Sequence, residues 1–482
     1  PQLWRMGACR PTIDGTIVGF EKKGKDTYAL IDTSDVHTLM IAAAGTGKTT
    51  FFLEPNIEYC CAAGMSFIST DTKGDIYRNC GYVAAKRYGY KISVIDLRNP
   101  LKSDGFNLLH LVKKYMDEYK NDPMDISAKA KSERYAKIVA DSIIAADGDK
   151  YGANTYFYDA AKGLIAALIL IIAEYGNDNE CHIVSVLKLM IELLEAKPQK
   201  KSQLKSETYF ADLIKLLPPE HKARWLSGAA INNADQAALS VISTALSRLN
   251  SLIDTETEQI LCFNTAIDTE TLCKEKCAVF IVLPEEDRTK YVIANLIIEQ
   301  ISREIYHIAD ENGGHLDKRI MIYFEEFGTM PPISGVEAMF SALRSRSVSI
   351  VAIIQSFAQL EKNYGKQGAE IIVDNTQLML FGGFAPGSSS AEKLSKDLGK
   401  QTILTGSISK GNGGKNSGHQ SQQLQMTGRE LITADELKCL PKGTFICTKT
   451  GMSPFKVQLL FYEKLGIRYD EKLNAEIKEV KT

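Results

Sequence analysis

The stretch Thr38-Leu39-Met40-Ile41-Ala42-Ala43-Ala44-Gly45-Thr46-Gly47-Lys48-Thr49-Thr50 runs from an apolar segment into a glycine-bearing turn and then into a helix start. A buried strand that breaks at once into a turn and a helix is the unit of an α/β fold, with a sheet around the strand. Backbone N–H groups of such a turn, added to the positive helix N-terminus, surround the phosphates of a nucleotide. The residues expected to bind it are Ala44, Gly45, Thr46, Gly47, Lys48, Thr49 and Thr50. Lys48 would reach the β- and γ-phosphates, and the Thr49 hydroxyl would hold Mg2+. ATP and Mg2+ are therefore the expected ligands. The first glycine of G-x-x-x-x-G-K-[ST] is Ala42 in this chain.

A length of 482 residues suffices for two or three domains, and a hydrophobic content of 44% is ordinary for a globular protein. Acidic residues (59) and basic ones (57) nearly cancel. That balance excludes the basic footprint of a DNA-packaging protein and confines nucleic-acid contact to a local patch or an assembled pore. The 10 cysteines show neither a disulfide framework nor a zinc pattern: Cys60 and Cys61 are adjacent, and Cys273-x-x-x-Cys277 lacks a second pair. They read as reduced thiols of a cytosolic protein. No run reaches the length of a membrane span, and the longest apolar stretch, Leu164 to Ala173, reads as a buried helix. The chain starts at Pro1, not Met, so a piece of a longer protein is expected, with room for a membrane anchor upstream.

Apolar runs alternate with helix-like segments, the signature of a parallel sheet covered on both faces. The helix Lys48–Ala62 carries Pro55, which predicts a kink or an early end. Strands are expected at Met65–Thr70 and Lys91–Leu97, with a helix through Tyr88 between them. From Val112 the pattern becomes helical, at Ile126–Ala145, Thr155–Tyr175, Val184–Ala196, Tyr209–Leu217 and Gln236–Leu252, with an exposed linker at Lys197–Gln203. This block reads as an all-α domain inserted into the α/β core. Strands resume at Cys277–Leu283, Arg319–Phe324, Val348–Ile354, Gln377–Phe381, Thr444–Thr448 and Phe455–Phe461. The domains are accordingly 1–111, 112–262 and 263–482. Thr405–Gln425, rich in Gly, Ser, Asn and Gln, is expected to be a mobile loop, on which Lys410, Lys415 and His419 could line a pore.

Ile320–Phe324 is an apolar run that ends in Glu325 and Glu326. In a phosphate-loop enzyme the first such carboxylate supports Mg2+, usually through water, and the second polarises the attacking water as general base. Glu325 takes the first role, in place of the usual Asp, and Glu326 the second. Asp71, which also ends an apolar run, is the alternative metal ligand. Gln355 ends the run Val348–Ile354, where an amide senses the γ-phosphate or holds the water. Arg344 and Arg346 precede that run, and one of them, delivered from a neighbouring subunit, would stabilise transition-state charge.

Four stretches together resemble the coupling proteins of type IV secretion, the hexameric DNA-transfer ATPases of bacterial conjugation. They are the phosphate loop, Ser69-Thr70-Asp71-Thr72-Lys73-Gly74-Asp75, Tyr323–Gly328, and Gln355-Ser356-Phe357-Ala358-Gln359-Leu360-Glu361-Lys362-Asn363-Tyr364-Gly365. Further matches are Phe106-Asn107-Leu108-Leu109, Tyr158-Asp159-Ala160-Ala161-Lys162, Ala391–Gly399 and Leu431–Leu437, while Leu343–Arg346 looks like the Gram-positive branch. The resemblance implies a RecA-like nucleotide-binding domain with an inserted all-α domain and an N-terminal membrane anchor. It implies a homo-hexamer at the cytoplasmic face of the membrane, or a monomer for a piece without the anchor. Its partners would be single-stranded DNA, relaxase and relaxosome proteins, and the secretion channel.

Three functions compete on this reading. The first is an ATP-hydrolysing motor that receives the relaxase–DNA complex and drives single-stranded DNA into the channel. The second is a docking receptor in which ATP binding orders the ring with little turnover. The third is a septal-type translocase of double-stranded DNA, which shares the loop but not Gln355–Gly365.

Overall fold

Side chains along each central strand alternate between two hydrophobic clusters. Leu39 and Ile41 belong to one, Met40 and Ala42 to the other. A sheet buried on both faces has this consequence, and it explains why its strands read as unbroken apolar runs. The computed structural model describes residues 2–5, 11, 13–145, 155–194, 209–228, 235–287, 290–333, 335–410 and 420–469.

Strands β1 (Gln2–Arg5), β2 (Thr16–Lys23) and β3 (Asp26–Asp32) form a small antiparallel sheet in the order β1-β3-β2, which the sequence reading does not anticipate. The central sheet contains β4 (Thr38–Ala42), β5 (Ser66–Asp71), β6 (Lys91–Asp96), β7 (Cys277–Val282), β8 (Ile320–Phe324), β9 (Val348–Ile354) and β10 (Leu378–Gly382), all parallel. After the hairpin β11 (Lys400–Lys410) and β12 (Gln420–Glu430), the strands β13 (Thr444–Lys449) and β14 (Phe455–Gln458) extend one edge antiparallel. The order is β14-β13-β10-β4-β9-β8-β5-β7-β6. Every parallel strand therefore ends at one rim, and β9 lies between the strand that feeds the phosphate loop and the strand that ends in the glutamates.

The expected helix Lys48–Ala62 divides into a π-helical turn, Lys48–Leu53, and the α-helix Glu54–Ala63. Pro55 has no N–H to continue the regular ladder, and the Glu54 N–H reaches back to the Thr49 carbonyl, five residues earlier. Helices Ile126–Ala145 and Thr155–Tyr175 stand at the expected bounds. Thr155–Tyr175 corrects one expectation, because it is long and apolar enough to cross a membrane. In this molecule Leu164 through Ala173 are all buried against neighbouring helices.

The helical block and one face of the sheet share a continuous core. Helix Tyr291–Glu311 joins them. Its Arg303 contacts Asp141 of Ile126–Ala145 at 2.7 Å, and Asp141 also accepts from Lys162 of Thr155–Tyr175 at 2.8 Å. The Lys197–Gln203 segment lies outside the described residues. Thr405–Gln425 is corrected in part: residues 405–410 and 420–425 pair as antiparallel strands with a continuous register, not as a loop. Lys415 and His419 fall outside the described residues, and Lys410 is the last residue of β11.

Candidate nucleotide-hydrolysis site

The phosphate loop leaves β4 and turns through Gly45 (φ 75°) and Gly47 (φ 85°), both in the left-handed region that suits glycine. A Cβ at Gly47 would lie 2.5 Å from the Phe51 ring, so this position also needs the missing side chain. Ala42 is the last residue of β4, buried and paired with Gly382, and does not have a positive φ. The substitution of alanine for the usual glycine therefore leaves the turn intact. A contact that the sequence reading missed closes the loop from outside. The Ala43 N–H donates to the Gly383 carbonyl at 3.0 Å, and a Cβ on Gly383 (φ 60°) would meet Thr46 Cγ2 at 2.2 Å. The adjacent glycines Gly382 and Gly383 at the end of β10 were the available signal.

Lys48 is buried and folds back on the loop. Its Nζ donates to the carbonyls of Ala42 at 3.1 Å and Ala43 at 3.3 Å, and lies 3.6 Å from Glu326 Oε1. Thr46 and Thr50 hydroxyls bond to loop carbonyls of Ala43 and Gly47. The Thr49 hydroxyl donates to Glu325 Oε1 at 2.9 Å. The longer glutamate, in the position usually held by Asp, thus reaches the loop.

Glu325 is 6% exposed, and its other oxygen accepts from the Thr72 N–H at 3.1 Å and the Thr72 hydroxyl at 3.3 Å. Burial, then the charge of Asp71, pushes its carboxyl up to about 7, against the pull of the Thr72 N–H and the Thr49 hydroxyl. Glu54, one turn along the loop helix, is also buried and pushed to about 7, chiefly by desolvation, and its Oε2 has no hydrogen-bond partner among the described residues. Carboxyls held this way mark a place short of positive charge. Among the described residues no group of three or more His, Cys, Asp or Glu could enclose a metal unaided. The oxygens of Thr49 and Glu325 suit a hard cation that takes its remaining ligands from phosphate and water.

Glu326 adopts φ 54°, one of two non-glycine residues with positive φ in the described chain. This backbone turn lets Glu325 and Glu326 point to different partners. Gln355 Nε2 donates to Glu326 Oε2 at 3.0 Å, so the amide at the end of β9 fixes the second carboxylate. Glu326 and Gln355 line one cleft of about 220 Å3 with Thr72, Lys73, Glu285, Tyr291 and Thr329. The long stretch Gln355–Gly365 has a structural reason that its sequence does not disclose. Gln359 accepts from the Gln355 N–H at 2.8 Å, Asn363 donates to the carbonyls of Gly328 and Met330, and Tyr364 accepts from the Ile333 N–H. Its helix clamps the segment that follows the glutamates.

Asp71 is brought to the same rim, but its carboxylate accepts from the N–H groups of Lys73, Gly74 and Tyr77. It caps the helix Asp75–Tyr82 and leaves Glu325 as the carboxylate that meets Thr49. Arg344 and Arg346 precede β9 and so stand at the opposite rim from this chain's own loop. Arg346 is held by the Ala342 carbonyl, Asp310 and the Tyr306 ring, whereas Arg344 is exposed.

The chain is 22% identical over 414 residues to the type IV secretion system-coupling protein VirD4 of Bartonella henselae, covering 84% of this chain and 59% of that protein. It thus spans about three-fifths of the length of the curated relatives it matches. The bacterial conjugative coupling protein TrwBdeltaN70 superposes with a TM-score of 0.61 at 14% identity, over 96% of this chain and 95% of that one. A structure of the plasmid coupling protein TrwB in complex with ADP and Mg2+ gives a TM-score of 0.60 at 13% identity, over 96% of each chain. These likenesses establish the fold, a RecA-like sheet with a helical insertion. The family model for conjugative DNA transfer by the type IV secretory system matches residues 8–482, and the chain belongs to that family.

Proposed function

We propose that this protein is the ATP-hydrolysing coupling protein of a conjugative type IV secretion system, receiving a relaxase–DNA complex and driving single-stranded DNA into the channel. One observation carries the hydrolytic part: Thr49 of the phosphate loop bonds to Glu325, while Glu326, next in sequence, is fixed by Gln355. The loop, a metal-side carboxylate, a base and an amide thus meet at one rim. The relatives and the family match support the secretion role. In this reading the protein works as a homo-hexamer at the cytoplasmic face of the membrane, with relaxosome and channel proteins as partners.

The residues divide the work as their geometry allows. Lys48 exchanges the carbonyls of Ala42 and Ala43 for phosphate oxygens, and the N–H groups from Ala44 to Thr50 complete the cradle. Thr49 and Glu325 would hold Mg2+, which when bound supplies positive charge to the phosphate oxygens. Glu326 accepts a proton from water, and Gln355 keeps its carboxylate aimed. The matching experiment pairs two variants. Lys48→Ala is expected to weaken ATP binding at least about tenfold, whereas Glu326→Gln binds ATP normally and loses turnover about 100-fold. Glu326→Gln protein that hydrolyses at the wild-type rate, with or without single-stranded DNA, overturns the assignment of the base.

A further inference from the structure

The segment Asp71-Thr72-Lys73-Gly74-Asp75 does more than cap a helix. The Lys73 backbone is gripped from two sides: its N–H donates to Asp71 Oδ1 at 3.2 Å, and its carbonyl accepts from the Arg98 guanidinium at 3.1 Å. Arg98 also donates to the Thr72 carbonyl, and Thr72 itself is bonded to Glu325 through its N–H and its hydroxyl. A buried carboxylate and a half-buried guanidinium therefore fix where the Lys73 side chain begins. That side chain is exposed, and among the described residues no carboxylate lies within ion-pairing distance of its ammonium. It lines the same cleft as Glu326, Gln355 and Thr329.

A lysine on a clamped backbone, lining the same cleft as the carboxylate expected to activate water and with no carboxylate partner among the described residues, suits an anion that arrives with the substrate. Lys48 approaches from the loop side and is shared with Glu326. Arg344 and Arg346 stand at the far rim. On the nucleotide-site reading given above, we propose that Lys73 binds the terminal phosphate of ATP from the cleft it shares with Glu326 and Gln355. Lys48 and Lys73 would then both be supplied by the same chain, the first through its approach to Glu326 and the second through the cleft that Glu326 lines.

The test compares affinity for a non-hydrolysable ATP analogue with affinity for ADP, both with Mg2+, by calorimetry. Wild-type protein is expected to prefer the triphosphate, and Lys73→Ala to lower that preference about tenfold with ADP affinity unchanged within about threefold. Lys73→Arg is expected to retain most of the preference and Lys73→Gln to lose it. A wild-type protein without preference for the triphosphate, or a Lys73→Ala variant with the full preference, overturns the proposal. Failure of the nucleotide site looks different, since Lys48→Ala would then bind ADP as wild type does.

Discussion

Glu325 and Glu326 are consecutive, yet one is packed under the loop and the other faces an open cleft. The positive φ of Glu326 makes this possible, at a cost of about 1–3 kcal/mol for a non-glycine residue in that region. Glu325 carries a pH signature. Its carboxyl is raised to about 7 in the folded chain against an ordinary value of 4.5, so between these limits the native state holds more protons than the unfolded one. Stability without nucleotide should therefore fall as pH rises from about 4.5 to about 7, by on the order of 2 kcal/mol. Glu325→Gln should melt higher than wild type at pH 8 and close to it at pH 4.5 when thermal unfolding is followed without Mg2+. Equal melting at pH 8 would show that the buried carboxylate is already neutralised by its neighbours. His37, buried before β4, acts in the opposite sense. Burial lowers its ring to about 4, so its contribution is present above about 6.5 and is lost as pH falls towards 4.

The element that presents the loop is held by its neighbours as well as by its own turn. Gly383, after β10, lies so close to Thr46 that a methyl group cannot fit, and its φ of 60° disfavours any side chain. Gly383→Ala should weaken ATP binding about tenfold while the fold survives, with equilibrium binding and far-UV dichroism as the paired measurements. Strands that end in chemistry were readable because each is an apolar run followed directly by its functional residue, as at Ala42, Phe324 and Ile354. The role of Gly383 was marked only by its standing next to Gly382 in the sequence, because its partner Thr46 is remote and meets it only through the β10–β4 pairing. The hairpin β11–β12 escaped notice for another reason. Leu404, Leu424 and Met426 are exposed, so no buried face imposed an apolar alternation on its sequence. The small sheet β1–β3 was hidden by the polar turn Lys22-Lys23-Gly24-Lys25, around which the outer ends of β2 and β3 are solvated.

Across the whole molecule, Arg344 and the loop stand at opposite rims, so on the proposed function this arginine would serve a neighbouring copy's site and not its own. Mixing decides the matter. Lys48→Ala and Arg344→Ala, each impaired alone, should recover part of the ATP turnover when combined at concentrations that would assemble the proposed ring, because an intact loop then meets an intact arginine. Turnover that stays at the level of the separate variants would remove Arg344 from the reaction. The helix Tyr291–Glu311 has a consequence of its own. Its first residue lines the cleft of Glu326 and Gln355, and Arg303, twelve positions further on, holds Asp141 in the helical block. Twelve residues of α-helix span about 18 Å. A stiff rod thus has one end at the cleft of Glu326 and Gln355 and its shaft bolted to the helical block, so a tilt at the first is felt at the second without any loop to absorb it.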